Sequence, residues 1–326
     1  MVVTTETDTE TTTLDPWVLE YREYDPDQEL LREALCTVGN GRFATRAAAP
    51  ELTMVEGRHY PGTYAAGLYN RLTTEKAGRE IEDESLVNLP NWLLLTFRID
   101  DGPWFSIDDI EILSFRQALE LDRGILLREV RFVDDAGHET SLSQRRFVHM
   151  TRPTVAAMET NLRPENWNGR LTIRSAVDGR VENRNVARYR DLRGNHLEVL
   201  EKIRRPDRIL LRARTRQSRV EVVTGARHRI WIDDEPTRAR RNLYEQDGVV
   251  GEDLVLDLER DTDVRLEKVA SLVTSRDLPS RSRGSIPTRS SSGFRTSRTW
   301  SGSTPMPGRH YGGGSAWTSM PNRACV

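Results

Sequence analysis

The sequence predicts a mainly β protein, a large antiparallel β-sandwich, and three observations lead there. From Leu93 onward apolar residues recur with a period of about two rather than 3.6. Turn chemistry (Asp100-Asp101-Gly102, Asp134-Asp135-Ala136-Gly137, Asp178-Gly179-Arg180) separates runs of five to eight residues. No amphipathic helix intervenes, so the crossovers that parallel strands need are missing, and antiparallel sheets packed face to face remain.

Taken in order, Met1 to Leu14 is rich in Thr and Glu, lacks a periodic apolar face and is expected to be disordered. Order begins at Asp15-Pro16-Trp17. After Asp25-Pro26, the spacing of Leu30, Leu31, Ala34 and Leu35 predicts a short helix within Gln28 to Cys36, and this quartet is its apolar face. Val38 to Trp92 reads as turns and loops with few strand-like residues. Leu93, Leu95, Phe97 and Ile99 then alternate into Asp100-Asp101-Gly102, with Trp104, Phe105 and Ile107 beyond, which predicts a hairpin. A second hairpin runs from Leu126, Val130 and Phe132 through Asp134–Gly137 and returns over Leu142 to Met150. Further strands are expected at Val155–Leu162, Leu171–Val177, Leu197–Leu200, Ile209–Ala213, Val220–Thr224, Ile230–Ile232, Leu254–Arg260 and Val264–Val273. Turn spacing varies too much for a propeller or solenoid.

After Asp277 the composition changes to Ser, Arg, Thr, Pro and Gly without apolar periodicity, so 278–326 is expected to be a disordered tail following a domain at 15–277. The tail holds seven Arg and no Asp, Glu or Lys, which leaves 41 basic against 50 acidic groups in residues 1–277. Acidic residues vanish so abruptly that an out-of-frame continuation is the expected origin of the tail. An acidic body repels nucleic acid, so no nucleic-acid partner is expected. Cys36 and Cys325 lie in regions of different character and predict no disulfide framework. The N-terminus lacks both a basic start and an apolar run, so neither signal peptide nor membrane contact is expected and the cytoplasm is the expected location.

Chemistry concentrates in Val38–Trp92. Flat rings and neutral amides at His59, Tyr60, Tyr64, Tyr69, Asn88, Asn91 and Trp92, between the turn-formers Gly39, Gly41, Pro61, Gly62, Gly67 and Pro90, are the side chains that bind sugars. A pyranose stacks its C–H face on aromatics and pairs its hydroxyls with amides. The same composition also serves an ordinary loop and core. Gly39-Asn40-Gly41-Arg42-Phe43-Ala44 fits the loose dinucleotide fingerprint, but a helical segment precedes it and no crossover helix fits before Pro50, so the nucleotide reading fails. Glu80, Glu82, Asp83 and Glu84 form an acidic run of the kind that is usually a solvated loop. The six histidines show no metal-ligand spacing, and no metal is expected.

Order and spacing add a resemblance. Trp17 through Asp25-Pro26, Glu33-Ala34-Leu35 leading to Gly39-Asn40-Gly41, Thr45-Arg46, Pro61-Gly62-Thr63-Tyr64 with Ala66-Gly67 and Tyr69, and Leu86 to Trp92 together resemble the N-terminal domain of glycoside hydrolase family 65 over about Trp17 to Asp277. That family contains trehalose, maltose, kojibiose and trehalose 6-phosphate phosphorylases and related hydrolases. Arg42 and Ala47 depart from its pattern, which leaves the subfamily open. The resemblance implies a supersandwich like that of galactose mutarotase.

It also implies that catalysis belongs to a later (α/α)6 barrel, where a glutamic acid protonates the leaving oxygen and inorganic phosphate, a co-substrate rather than a cofactor, attacks the anomeric carbon. The expected function is therefore that of a non-catalytic domain, inactive alone, of an enzyme acting on an α-linked glucose disaccharide, with no catalytic residue of its own. The seven ring and amide residues are the candidates for its substrate mouth, and a homodimer is a further expected assembly. Two alternatives stand beside it: a separate carbohydrate-binding or dimerisation module, and a mutarotase-like epimerase, which requires a histidine and a carboxylate converging in one sheet's concavity.

Overall fold

The computed structural model describes residues 15–184 and 192–277. The expectations for 1–14 and 278–326 lie outside the described residues. The chain divides into two units, 1–275 and 276–326; Arg276 and Asp277 are the described residues of the second, and the fold below is that of the first.

Antiparallel strands dominate, as the period of two predicted. The largest sheet orders β1 (Val18–Tyr21), β8 (Glu111–Glu120), β9 (Ile125–Val133), β10 (Glu139–Val148), β11 (Val155–Pro164), β19 (Val264–Thr274), β15 (Glu221–Ile232), β14 (Arg208–Thr215) and β13 (Leu197–Arg205). A tenth strand, β16 (Glu235–Thr237), pairs with β15. A four-stranded sheet orders β17 (Arg240–Gln246), β18 (Val249–Leu258), β12 (Gly169–Asp178) and β7 (Leu95–Ile99). Between the strand-rich body and the helix lie a small sheet of β2 (Val38–Gly39), β3 (Phe43–Thr45) and β4 (Thr63–Ala65), and a two-stranded ribbon of β5 (Tyr69–Lys76) and β6 (Arg79–Leu86), in chain order.

Alternation explains the layering. Along β10 and β19 every second residue is buried, and the inward set of β19 is Val264, Leu266, Lys268, Ala270, Leu272 and Thr274. Full burial of an aliphatic side chain contributes about 1.5–3 kcal/mol, so each inward row favours this register over a one-residue slip. Aromatics join the two large sheets: Phe105 stacks on Phe97 of β7 at 4.6 Å between centroids and meets Phe132 of β9 at 4.9 Å.

Several expectations change. The Asp100–Gly102 turn forms, with Gly102 N–H donating to Ile99 O at 2.9 Å, but no return strand follows. Phe105 returns one main-chain bond, its N–H donating to Phe97 O at 2.7 Å, and is held further by its stacking and by the Thr96 hydroxyl donating to its carbonyl at 2.8 Å, before the chain leaves through a 3-10 turn, Ile107–Asp109, into the other sheet. The strands expected at Val220–Thr224 and Ile230–Ile232 are one, β15, which begins at Glu221 and whose interior continues through polar His228. Glu80, Glu82, Asp83 and Glu84 lie on β6 rather than in a loop, where Arg71 faces Glu82 and Glu84 at 3.6 and 3.5 Å. Val38–Trp92, read as loops, holds five strands, β2 to β6.

Helix α1 (Glu29–Leu35) forms where expected but is turned over: Glu29, Arg32 and Glu33 are buried, while Leu31 and Leu35 stand 54 and 52 % exposed. Arg32 and Glu33 find partners outside the helix, described below, while Glu29 has Arg32 at 3.8 Å on the same helix. No helix among the described residues is long and apolar enough to cross a membrane.

Candidate functional site

The site is built from the bottom of the Val38–Trp92 region. Gly39-Asn40-Gly41 is the turn between β2 and β3, and Gly41 takes φ 79°, the left-handed region that suits glycine. Asn40 Oδ1 accepts from the N–H groups of Arg42 and Phe43 at 2.9 and 3.1 Å, and its Nδ2 donates to His149 O and Pro153 O. The glycine motif is therefore a locked hairpin turn that leads into β3 rather than a helix.

Four of the seven ring and amide candidates converge. Tyr64 OH donates to Tyr60 OH at 2.9 Å, and Tyr60 OH donates to Glu182 O at 3.0 Å. Asn88 Nδ2 donates to that same carbonyl at 3.3 Å and to Pro61 O at 3.2 Å, while its Oδ1 accepts from Thr63 N at 3.0 Å. Burial pushes both phenols up, so each stays a hydrogen-bond donor throughout the ordinary pH range. Arg46 runs beneath them, donating to Tyr60 O at 3.0 Å and Leu30 O at 2.8 Å. A Cβ at Gly62 would meet Arg46 Cδ and Tyr64 Cε2 at 2.8 Å, which is why no larger residue fits there.

His59 closes the group on the helix side. Its Nδ1 lies 3.2 Å from Glu33 Oε1, and Tyr60 N–H donates to the other oxygen of Glu33 at 2.9 Å. Its Nε2 faces Asp108 Oδ2 at 3.7 Å without a hydrogen bond.

The other three candidates stand elsewhere. Asn91 pairs main chain to main chain with Asp178 at 2.8 and 3.0 Å and accepts from Leu93 N–H at 2.9 Å, which ties it to the end of β12. Trp92 is 1 % exposed within the core, and its indole N–H has no hydrogen-bond partner among the described residues. Tyr69 opens β5 with 47 % of its surface in solvent.

Several polar groups escaped the sequence reading. Glu33, Asp108 and Tyr24, whose OH donates to Asp108 at 2.6 Å, complete the surroundings of His59. Between the two large sheets, His228 Nδ1 meets Glu252 Oε1 at 2.6 Å, and Arg241 donates to the same oxygen at 2.7 Å. Lys268 Nζ donates to Leu94 O and Ala176 O at 2.9 and 3.0 Å. Burial pulls Lys268 well below the ordinary ammonium range and keeps His228 neutral; at Glu252 burial works the other way, but His228 and Arg241 outweigh it and hold the carboxylate ionised. The only advance signal was that Lys268 is one of three lysines and sits inside an apolar alternation.

Chemically, the His59–Glu33 and His228–Glu252 pairs have 0 and 1 % side-chain exposure and cannot reach a sugar as they stand. His138 and Asp134 form a part-exposed pair, but Asp134 Oδ1 also accepts from Ala136 and His138 N–H groups, which makes it a lock of the β9–β10 turn. Among the described residues no group of three or more His, Cys, Asp or Glu is placed to hold a metal ion.

Comparison with known proteins agrees with this geometry. The family model for the N-terminal domain of glycosyl hydrolase family 65 matches residues 19–297. An uncharacterized glycosyl hydrolase of Mycobacterium tuberculosis is 47 % identical over 263 residues, 81 % of this chain and 20 % of that protein. The kojibiose phosphorylase of Halothermothrix orenii is 24 % identical over 262 residues, 80 % of this chain and 31 % of its own length. The trehalose 6-phosphate phosphorylase of Lactococcus lactis is 27 % identical over 273 residues, covering 79 and 32 %. A solved structure described as a putative kojibiose phosphorylase from the human microbiome superposes with a TM-score of 0.66 at 15 % identity, over 81 % of this chain and 33 % of that one. This chain thus spans between a fifth and a third of the length of these curated relatives. Sandwich, hairpin turn and matched length lead to one assignment: the chain belongs to glycosyl hydrolase family 65, by way of that family's N-terminal domain.

Proposed function

We propose that these residues are the non-catalytic domain of an α-glucoside phosphorylase or hydrolase, and that the chain by itself turns over no disaccharide. The observation that carries the reading is the closure of its two buried histidine–carboxylate pairs, which leaves a sugar no acid or base to meet at either. Tyr60, Tyr64 and Asn88 support it too, because their polar atoms are engaged with main chain and with one another. In this reading the acid and the phosphate cradle, with the α-linked disaccharide and the inorganic phosphate they act on, belong to the part of the longer relatives outside the match. Sandwich and barrel then meet across surfaces such as the outward Leu31 and Leu35.

The test is direct. Purified chain is incubated with kojibiose, trehalose or maltose, with and without inorganic phosphate, and glucose 1-phosphate and glucose are measured. No release above the protein-free control is expected, whereas release proportional to protein would overturn the proposal. The epimerase alternative is weakened by the same closed pairs, and a null result in sugar anomerisation is expected with it.

A further inference from the structure

The face of the ten-stranded sheet that is turned away from the core carries a row of like charges. In the register of the sheet Arg205 of β13 stands directly opposite Arg208 of β14, and Arg208 directly opposite Arg227 of β15. Arg229 follows two residues further along β15. The intervening His228, like Ile209 beside Arg208, is buried on the inner face, so all four arginines share the outer one. Opposite residues lie about 4.5–5.5 Å apart and next-but-one residues about 7 Å, so the four guanidinium groups can reach one small ligand. Arg205 is exposed and the other three are half-buried.

Like charges directly opposite one another destabilise a sheet, and little offsets them here. Arg208 donates to both oxygens of its neighbour Asp207, at 2.9 and 3.1 Å. Arg205, Arg227 and Arg229 make no ion pair and no side-chain hydrogen bond among the described residues. The acid opposite Arg229 is Glu267 of β19, and its charge is shared with Arg265 and Arg145. Burial, and after it the charges of Arg229 and Arg208, pulls Arg227 below the ordinary guanidinium range against Asp207 and Glu267. It still carries its charge at neutral pH.

We infer that the row of Arg205, Arg208, Arg227 and Arg229 is a binding site for a phosphoryl group, taken as the free anion or as a small monoester.

A phosphate dianion presents several acceptor oxygens to planar guanidinium forks and cancels the repulsion between them. A long polyanion fits less well, because residues 1–277 hold 41 basic against 50 acidic groups and repel it. The site shares no residue with the group around Tyr60 and Asn88. It does not rest on the catalytic reading above, since its readout is binding and not turnover.

Phosphorus NMR titration of the full chain with inorganic phosphate and with glucose 1-phosphate, each at constant ionic strength, tests the site. Saturable line broadening is expected. Arg227→Gln and Arg229→Gln should each weaken Kd about tenfold, the loss of one charge-assisted pair, without lowering the melting temperature of the free chain. Arg79→Gln, at the start of β6 in the ribbon, should leave Kd unchanged. Equal affinity for the two probes supports a site for the phosphoryl group alone, and tighter binding of the ester supports one that also holds the sugar. Absence of saturable binding overturns the inference; so does a Kd that the two row variants change no more than Arg79→Gln does.

Discussion

Lys268 on β19 stands directly opposite His228 on β15 in the register of the ten-stranded sheet, and both side chains are closed to solvent. Lys268 reaches across to the main chain of the smaller sheet, and His228 reaches Glu252 there. The two sheets are thus joined by polar contacts as well as by the aliphatic and aromatic side chains of the core.

Two carbonyl acceptors match the two N–H bonds of a neutral amine, which fits a Lys268 pKa pulled down by burial. Its folded pKa lies below the reference 10.5, so over the interval between them the unfolded chain binds a proton that the folded chain does not. By linkage, stability from this residue rises with pH across that interval. Relative to Lys268→Met, the wild type should gain melting temperature between about pH 7 and 10. Parallel pH profiles for the two proteins would show that Lys268 keeps its proton in the fold.

Glu252 and His228 act at the acid end. Glu252 is held below the reference 4.5, so its contribution is complete above that value and is lost as pH falls through the folded pKa. His228 is held below 6.5, so below 6.5 the unfolded chain takes a proton that the buried ring refuses, and stability again falls with pH. Urea midpoints should therefore drop from about pH 6.5 downward. Glu252→Gln, which leaves Arg241 without its carboxylate, should cost about 3–5 kcal/mol at neutral pH, read from the same urea curves.

The inversion of α1 makes opposite predictions for its two faces. Leu31→Ser and Leu35→Ser remove exposed side chains and should each change stability by no more than about 0.5 kcal/mol. Were those leucines the core face that their spacing suggests, polar replacement would cost at least as much as truncation, about 2–5 kcal/mol. Glu33→Ala removes the partner of Tyr60 N–H, His59 and Arg46 together and should cost about 3–5 kcal/mol. Chemical denaturation of the three variants decides between the faces.

That helix also marks where sequence legibility ends. Strands such as Glu139–Val148 and Val264–Thr274 were legible because one face packs on a core, and packing writes a period of two into the residues. The β5–β6 ribbon was not, since a ribbon with both faces largely in water needs no apolar alternation. The inward turn of Glu29, Arg32 and Glu33 depends on partners from elsewhere: Arg32 donates to Glu23 O, and Glu33 meets His59, Tyr60 and Arg46. No local pattern encodes such contacts. At the candidate site the convergence of His59, Tyr60, Tyr64 and Asn88 was legible from composition, but the Glu182 carbonyl that Tyr60 and Asn88 share was not.

Trp92 and Tyr69, grouped by composition, separate by burial, and this yields the last prediction. Trp92 is enclosed, so Trp92→Ala leaves a large cavity and should cost about 3–5 kcal/mol, lowering the melting temperature of this chain. Tyr69 keeps nearly half its surface in water, so Tyr69→Ala should cost about 0.5 kcal/mol and leave the fold intact. The corresponding pair in a full-length family relative then distinguishes a structural from a substrate role. A ring that only supports the sandwich loses folded protein with KM and kcat unchanged in what survives. A ring at the substrate mouth keeps the fold and raises KM. The first outcome is expected for Trp92 and the second for Tyr69, because Tyr69 is the candidate whose ring is already open to a ligand.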